Sequence, residues 1–128
     1  MTIVLSSRLP SPSGVFFSSD CFGALLQSVP QTAADLSDRD LLDGQVFWAT
    51  VDSPWLHKVD RDSLARELDG IRRMAPRMVL SSHLPPAPGH MMERLLASLA
   101  AAPGAQPFVG PNQAALEQML KAMTAEGR

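Results

Sequence analysis

Short apolar runs bounded by turn-forming residues predict several strands in this chain. Residues 2–6 contain the run Ile3-Val4-Leu5, and residues 15–18 and 78–81 repeat the pattern of a few apolar positions followed by serine. Runs of this length between Gly, Pro and Ser positions are typical of strands. Residues 46–51 are also apolar and partly β-branched or aromatic, so we interpret them as a further strand or extended segment.

A helical repeat is clearest after Asp60 and Asp62, either of which can cap the free amide groups of a first turn. Apolar side chains then recur at spacings of four, three and three residues, which places them along one helix face. They are Leu64, Leu68, Ile71 and Met74. Pro76 is expected to end this helix, because proline cannot continue the backbone hydrogen bonds.

Further helices are predicted on both sides of this one. A second long helix is expected over residues 90–102, and a last one opens at 110–112 with Pro111 in the first turn. The apolar face of the last helix comprises Ala115, Leu116, Met119, Leu120 and Met123. Residues 24–29 predict a helical turn, and residues 31–43 predict a short helix bounded by Gly44.

The order of these elements predicts an α/β fold, because helices that alternate with strands form layers around a sheet. The chain has 128 residues, of which 45% are hydrophobic, enough to bury a core. With no internal repeat and no flexible linker, we expect a single domain over residues 1–128.

Composition excludes several functional classes. The formal net charge is −2 and the basic residues are dispersed, so we expect neither nucleic acid nor an anionic membrane as a partner. The longest apolar runs are too short to span a bilayer, and the N-terminus lacks the pattern of a signal peptide. Cys21 is the single cysteine, so an intrachain disulfide is excluded and a cytoplasmic location is expected.

Two loops place a metal-binding side chain directly after an apolar strand. Asp20 lies in the segment Ser-Ser-Asp-Cys-Phe-Gly (18–23), and His83 lies in Ser-Ser-His-Leu-Pro-Pro (81–86). Because the strand ends of an α/β sheet converge at one edge, we expect these two side chains to lie side by side there. A carboxylate and a neutral imidazole suit iron, zinc or manganese, although a catalytic site needs about three protein ligands.

Structural roles compete with each of these interpretations. An aspartate after a strand is commonly a turn former, and Cys21 is best explained as a small packing residue. The methionines are interpreted as core fillers. Trp55 and His57 are candidates for the mouth of a pocket, with a partly exposed structural histidine as the alternative for His57, and His90 is considered incidental.

The two loops, with Asp52-Ser53-Pro54-Trp55 between them, resemble the C-terminal half of metallo-β-lactamase-fold proteins, in the branch of flavodiiron and oxygen-binding di-iron proteins. The similarity covers nearly the whole chain, including Pro-Phe-Val-Gly-Pro at 107–111. It implies half of an αββα sandwich, a mixed sheet with helices on one face. It also implies that Asp20 bridges two metals, iron or zinc, and that His83 completes the shell of the second.

The chain departs from that family in one respect. The His-x-[His/Glu]-x-Asp-His cluster and a further histidine before Asp20 are absent, and both belong to the N-terminal half of the family fold. The resemblance therefore implies a partial metal-binding protein, inactive by itself, that becomes a metallo-hydrolase or a reductase of dioxygen or nitric oxide when complemented. A reductase would need a separate flavoprotein as electron donor.

Half of a sandwich leaves one apolar sheet face uncovered, so we expect a homo-oligomer or a complementing N-terminal half. The alternative is a non-catalytic α/β fragment that acts as an association module.

Overall fold

Strands, helices and short 3₁₀ turns follow one another in the computed structural model, which describes residues 14–127. The strands are β1 (Val15–Ser19), β2 (Met78–Ser81) and β3 (Ala87–Pro88), and the helices are α1 (Asp38–Asp52), α2 (Arg61–Met74), α3 (Met92–Ala101) and α4 (Gln113–Glu126). The 3₁₀ turns are Ala33–Asp35, Pro54–Lys58, Gly89–Met91 and Ala102–Gly104. The strand predicted at residues 2–6 lies outside the described residues.

The three strands form one mixed sheet in the order β1-β2-β3. β1 and β2 are parallel, and β2 and β3 are antiparallel. The chain passes through α1 and α2 between the two parallel strands, as a parallel connection requires. The predicted mixed α/β architecture is therefore confirmed, and the carboxyl ends of β1 and β2 lie at the same edge of the sheet.

One face of the sheet carries the core. Phe16 and Val79 are paired in register and are 2% and 0% exposed. They pack with buried side chains of the helices, namely Leu41, Leu64, Leu68, Ile71, Leu95 and Leu96. On the opposite face, Phe17 is 65% exposed and pairs in register with the half-buried Leu80. The sheet therefore has an open apolar face, which we define by Val15, Phe17, Met78 and Leu80.

Helix α2 has the predicted pattern. Asp60 rather than Asp62 is its cap, since the Asp60 carboxylate accepts a hydrogen bond from the amide of Ser63 at 3.0 Å. Hydrogen bonds from the side chain and amide of Ser63 lower the pKa of Asp60. The helix ends at Met74, and its C-cap Ala75 adopts a left-handed conformation with φ of 43° immediately before Pro76.

The strand predicted at residues 46–51 is wrong, because these residues belong to α1. Ser37 caps the helix by accepting a hydrogen bond from the amide of Asp40 at 3.1 Å, and the helix continues to Asp52. Gly44 lies inside the helix and does not end it. A Cβ atom there would lie 2.6 Å from the carbonyl oxygen of Leu25, so this glycine permits a close approach of the two backbones.

Two predictions at smaller scale are also wrong. Residues 24–29 form no helical turn; there, the amide of Leu25 donates to the carbonyl of Gly44 at 3.0 Å. The cap of α4 is Asn112, so Pro111 precedes the helix and is not in its first turn.

Helix α4 buries none of its side chains against the described part of the chain. Four of the methionines lie in two different environments. Met91 and Met92 are core residues, 0% and 6% exposed, but Met119 and Met123 are 54% and 67% exposed, contrary to the predicted role of core filler. Within residues 14–127, no helix has the length and apolar character needed to cross a membrane.

Leu95→Ala is expected to lower the free energy of unfolding by about 2–5 kcal/mol, because it leaves a cavity where α3 packs on α1 and α2. Leu120→Ala in α4 is the matched control, with the same helical substitution at a side chain that is 53% exposed, and its effect should stay below about 0.5 kcal/mol. Urea unfolding followed by circular dichroism measures both. Equal losses in the two variants would contradict this placement of the core.

Candidate functional site

The loop that carries Asp20 begins with a break in the pairing of β1. The register with β2 shifts between Phe17 and Ser19, and Ser19 and Phe22 have positive φ angles of 54° and 66°. Left-handed backbone is unfavourable for residues other than glycine, and such strain is found disproportionately at functional sites. The loop is therefore held in its conformation by the contacts around it.

Hydrogen bonds join this loop to the loop that carries His83. The carbonyl of Ser19 accepts from the amide of Ser82 at 2.8 Å and from the hydroxyl of Ser81 at 3.1 Å. The amide of Ala24 donates to the carbonyl of His83 at 2.9 Å. The two loops thus form one unit at the carboxyl ends of β1 and β2.

Asp20 and His83 are in direct contact in this unit. Nε2 of His83 lies 3.3 Å from Oδ1 of Asp20, and the two side chains are 46% and 53% exposed. The juxtaposition expected from the strand ends is therefore present. The Nε2–Oδ1 distance is that of a direct ion pair, and two atoms bound to one tetrahedral zinc at about 2.0–2.1 Å are separated by a similar distance of about 3.3 Å. Within residues 14–127, no third His, Cys, Asp or Glu completes a metal-binding group.

Trp48 in α1 contacts both residues of the Asp20–His83 pair. Its Nε1 donates to the backbone carbonyl of Asp20 at 3.0 Å, and its ring lies 4.3 Å from the His83 ring. Gly23 makes room for the indole, since a Cβ atom at this position would lie 2.5 Å from Nε1. Sequence reasoning missed Trp48 because residues 46–51 were interpreted as a strand. Read with helical spacing, Gln45, Trp48 and Asp52 share one face, and this signal would have found them.

A cleft of about 290 Å³ lies beside the Asp20 loop. Its lining residues include both tryptophans, Trp48 and Trp55, and two acidic residues, Asp20 and Asp52. Five further lining residues are apolar, namely Phe22, Ala49, Leu56, Leu95 and Leu99. The cleft therefore combines an apolar interior with acidic groups.

Trp55 is a lining residue, whereas His57 is not among the residues that line the cleft. His57 is half-buried, and its Nδ1 lies 3.4 Å from the carbonyl oxygen of Pro103, which is the position of a structural histidine. His90 is exposed in the 3₁₀ turn Gly89–Met91.

Gln45 is a buried polar lining residue of the cleft, 4% exposed. Its Nε2 donates to the carbonyl of Phe22 at 3.1 Å, which determines the orientation of the amide group. Its Oε1 accepts no hydrogen bond from the described part of the chain. Buried acceptors of this kind are uncommon, because an unpaired polar group is costly away from water.

Cys21 lies next to Asp20 but has the character of a packing residue. Burial raises the pKa of its thiol to about 12; a hydrogen bond from the backbone of Phe22 acts in the opposite direction, and the negative charge of Asp52 adds to the increase. The thiol is therefore protonated at neutral pH, whereas metal binding and nucleophilic attack need the thiolate.

Comparison of the chain with protein-family models, curated proteins and solved structures finds no match. The metal-binding roles of Asp20 and His83 stay predictions from the residues and their geometry.

The stability of the fold should decrease as pH rises above 9.0, because the folded chain keeps a proton on Cys21 up to about pH 12 and the unfolded chain loses it near the ordinary value. The contribution is fully present below pH 9.0 and lost through this window. Urea midpoints at pH 8 and pH 10, compared between the natural chain and Cys21→Ala, isolate it. A Cys21→Ala slope as steep as that of the natural chain would show that the thiol is not the cause.

Proposed function

We propose that this chain is one half of a two-part metal-binding domain similar to the C-terminal half of the metallo-β-lactamase fold. Asp20 and His83 supply two of the ligands, and a partner chain supplies the rest. The observation that carries this proposal is the 3.3 Å contact between the carboxylate and the imidazole at the end of the parallel strand pair.

The chemistry of the pair supports a transition metal. A carboxylate has two oxygens and can bridge two cations, and a neutral imidazole suits iron and zinc. The Asp20 carbonyl is held by Trp48 and the His83 carbonyl by the amide of Ala24, so the backbones on both sides of the pair are anchored. Anchored ligands favour metal binding, because little ordering remains to be done when the ion arrives.

A dinuclear iron or zinc centre would supply the chemistry when bound: it polarises a substrate and lowers the pKa of a bound water. The reaction class is then a metallo-hydrolase, or a reductase of dioxygen or nitric oxide served by a separate flavoprotein. In either case, Asp20 and His83 hold and orient the metal.

Two features support a requirement for a partner. The described residues offer two ligands, whereas catalytic sites use about three for each zinc. The open apolar face, with Phe17 65% exposed, also lacks a covering layer in the described part of the chain. One complementing N-terminal half that carries a His-rich loop would meet both needs.

A second function, that of a non-catalytic association module, is favoured by the extent of exposed apolar surface. Besides the open face, α4 exposes four apolar side chains on one helical face. They are Leu116, Met119, Leu120 and Met123. Contiguous exposed apolar side chains mark interaction sites, and this function needs no metal.

Asp20→Ala and His83→Ala should each abolish binding of Zn²⁺ and Fe²⁺ to the purified chain, because neither ligand can hold the ion alone. Isothermal titration calorimetry under anaerobic conditions measures the binding. Asp62→Ala and His90→Ala remove the same side-chain types at exposed positions elsewhere and should leave binding unchanged. Metal binding that persists in both site variants would show that Asp20 and His83 are not the ligands.

Phe17→Ser should shift the chain toward the monomer, because it removes the most exposed apolar side chain of the open face. Val109→Ser is the control, at a side chain that is 83% exposed and lies outside that face. Sedimentation velocity at micromolar concentrations measures the distribution. A natural chain that is already monomeric under these conditions would argue against self-association through the sheet.

A further inference from the structure

We propose that helix α4 pairs in antiparallel orientation with α4 of a second copy of this chain. The contact surface, which we call the α4 face, consists of Leu116, Met119, Leu120 and Met123. This inference rests on the association-module function proposed above and names its partner and its surface. It involves no metal.

The α4 face has no covering layer in the described part of the chain. The helix has 14 residues and buries none of its side chains. Its four large apolar side chains are 40% to 67% exposed. Isolated helices of about this length are marginal in water, because most helical stability in proteins comes from packing of an apolar face. A partner that covers the α4 face would therefore stabilise the helix itself.

The α4 face is complementary to itself when two copies run in opposite directions. With a twofold axis between Met119 and Leu120, Leu116 of one copy lies level with Met123 of the other, since the helical rise per residue is constant. Met119 likewise lies level with Leu120 of the second copy. Every apolar position thus gains an apolar neighbour, in the reciprocal arrangement that a twofold dimer requires.

The ends of α4 also favour the antiparallel orientation. Its first turn contains no acidic residue and its last turn no basic residue, so neither end of the helix dipole is compensated by a side chain of its own turn. Glu126 instead places a negative charge at the C-terminal end, where it is unfavourable. In the antiparallel pair, Glu126 lies level with Gln113 of the second copy, at a helix start, where a negative charge is favourable.

Glu117 and Lys121 provide charge complementarity beside the α4 face. Their spacing of four residues places them on the same side of the helix, and Glu117 of each copy lies within one residue of the level of Lys121 of the other. Lys121 has no ion-pair partner within residues 14–127. A parallel pair in register would place Glu117 against Glu117 and Lys121 against Lys121, which like-charge repulsion disfavours.

Single charge changes test the partner and the orientation together. Glu117→Lys and Lys121→Glu should each weaken dimerisation about tenfold at low ionic strength, because two attractive contacts become repulsive. The double variant Glu117→Lys/Lys121→Glu should restore it. An equimolar mixture of the two single variants should dimerise like the natural chain, since their charges are then complementary. In a parallel pair, neither single change would weaken dimerisation.

A change on the α4 face tests the apolar contact. Leu120→Lys should abolish dimerisation, because it places a charge in the centre of the contact. Gln118→Lys is the matched control, which adds the same charge on the opposite side of α4, and it should alter the dimerisation constant by less than about twofold. Circular dichroism verifies that the variants keep their helix content.

Sedimentation equilibrium over about 50–500 µM measures the constants, because one helix pair buries less than a standard interface and forms a weak dimer. Phe17→Ser should leave the α4 dimer unchanged, which separates this proposal from association through the sheet. Three outcomes would overturn it. They are a natural chain that is monomeric at about 500 µM, equal effects of Leu120→Lys and Gln118→Lys, and single charge changes that leave dimerisation unaltered.

Discussion

The parallel pairing of β1 with β2 is the constraint on which the rest of the structure depends. Parallel strands must be joined by a long connection, and here the connection contains α1 and α2, which cover one face of the sheet. The same pairing brings two carboxyl ends to one edge, so that residues 63 positions apart become neighbours. The core and the Asp20–His83 pair thus follow from a single topological choice.

The Asp20 loop has an unfavourable backbone conformation at the end of this strand pair. Two residues other than glycine adopt left-handed backbone within four positions, and the strand pairing is irregular just before them. Such a conformation persists only where neighbours compensate for it. The compensation comes from the carbonyl of Ser19, which accepts two hydrogen bonds from the neighbouring loop, and from side chains of α1. Stability and the placement of the carboxylate are therefore coupled.

Much of the fold was predictable because its signals are local. The cap at Asp60, the apolar spacing of α2 and the short β2 run are each encoded within a few residues, and all three are present in the structure. Helix α1 was not predictable in the same way. The pattern of apolar and polar positions at residues 46–51 does not distinguish a helix from a strand. Gly44 also has the residue type that commonly follows a helix end, although it lies inside α1. Tertiary packing against Leu25 decides this case.

The candidate site likewise contains residues that could be predicted from the sequence and residues that could not. Asp20 and His83 follow apolar runs, so their position at strand ends could be inferred from the order of residues. Gln45 and Trp48 could not be assigned to the site, because their roles depend on the helical phase of α1 and on its docking beneath the loop. The buried acceptor of Gln45 has no sequence signature at all, since it arises from the absence of a donor in three dimensions.

The bond from the Trp48 indole to the Asp20 carbonyl spans 28 positions of the chain, and that from Gln45 to Phe22 spans 23. The position of the Asp20 carboxylate consequently depends on the packing of α1 against the loop and is not determined by residues 18–23 alone. A synthetic peptide with that segment, or the segment grafted onto another strand end, would relax out of its left-handed turns and lose the direction of Asp20. Transplanting this site to another scaffold would require moving α1 along with the loop.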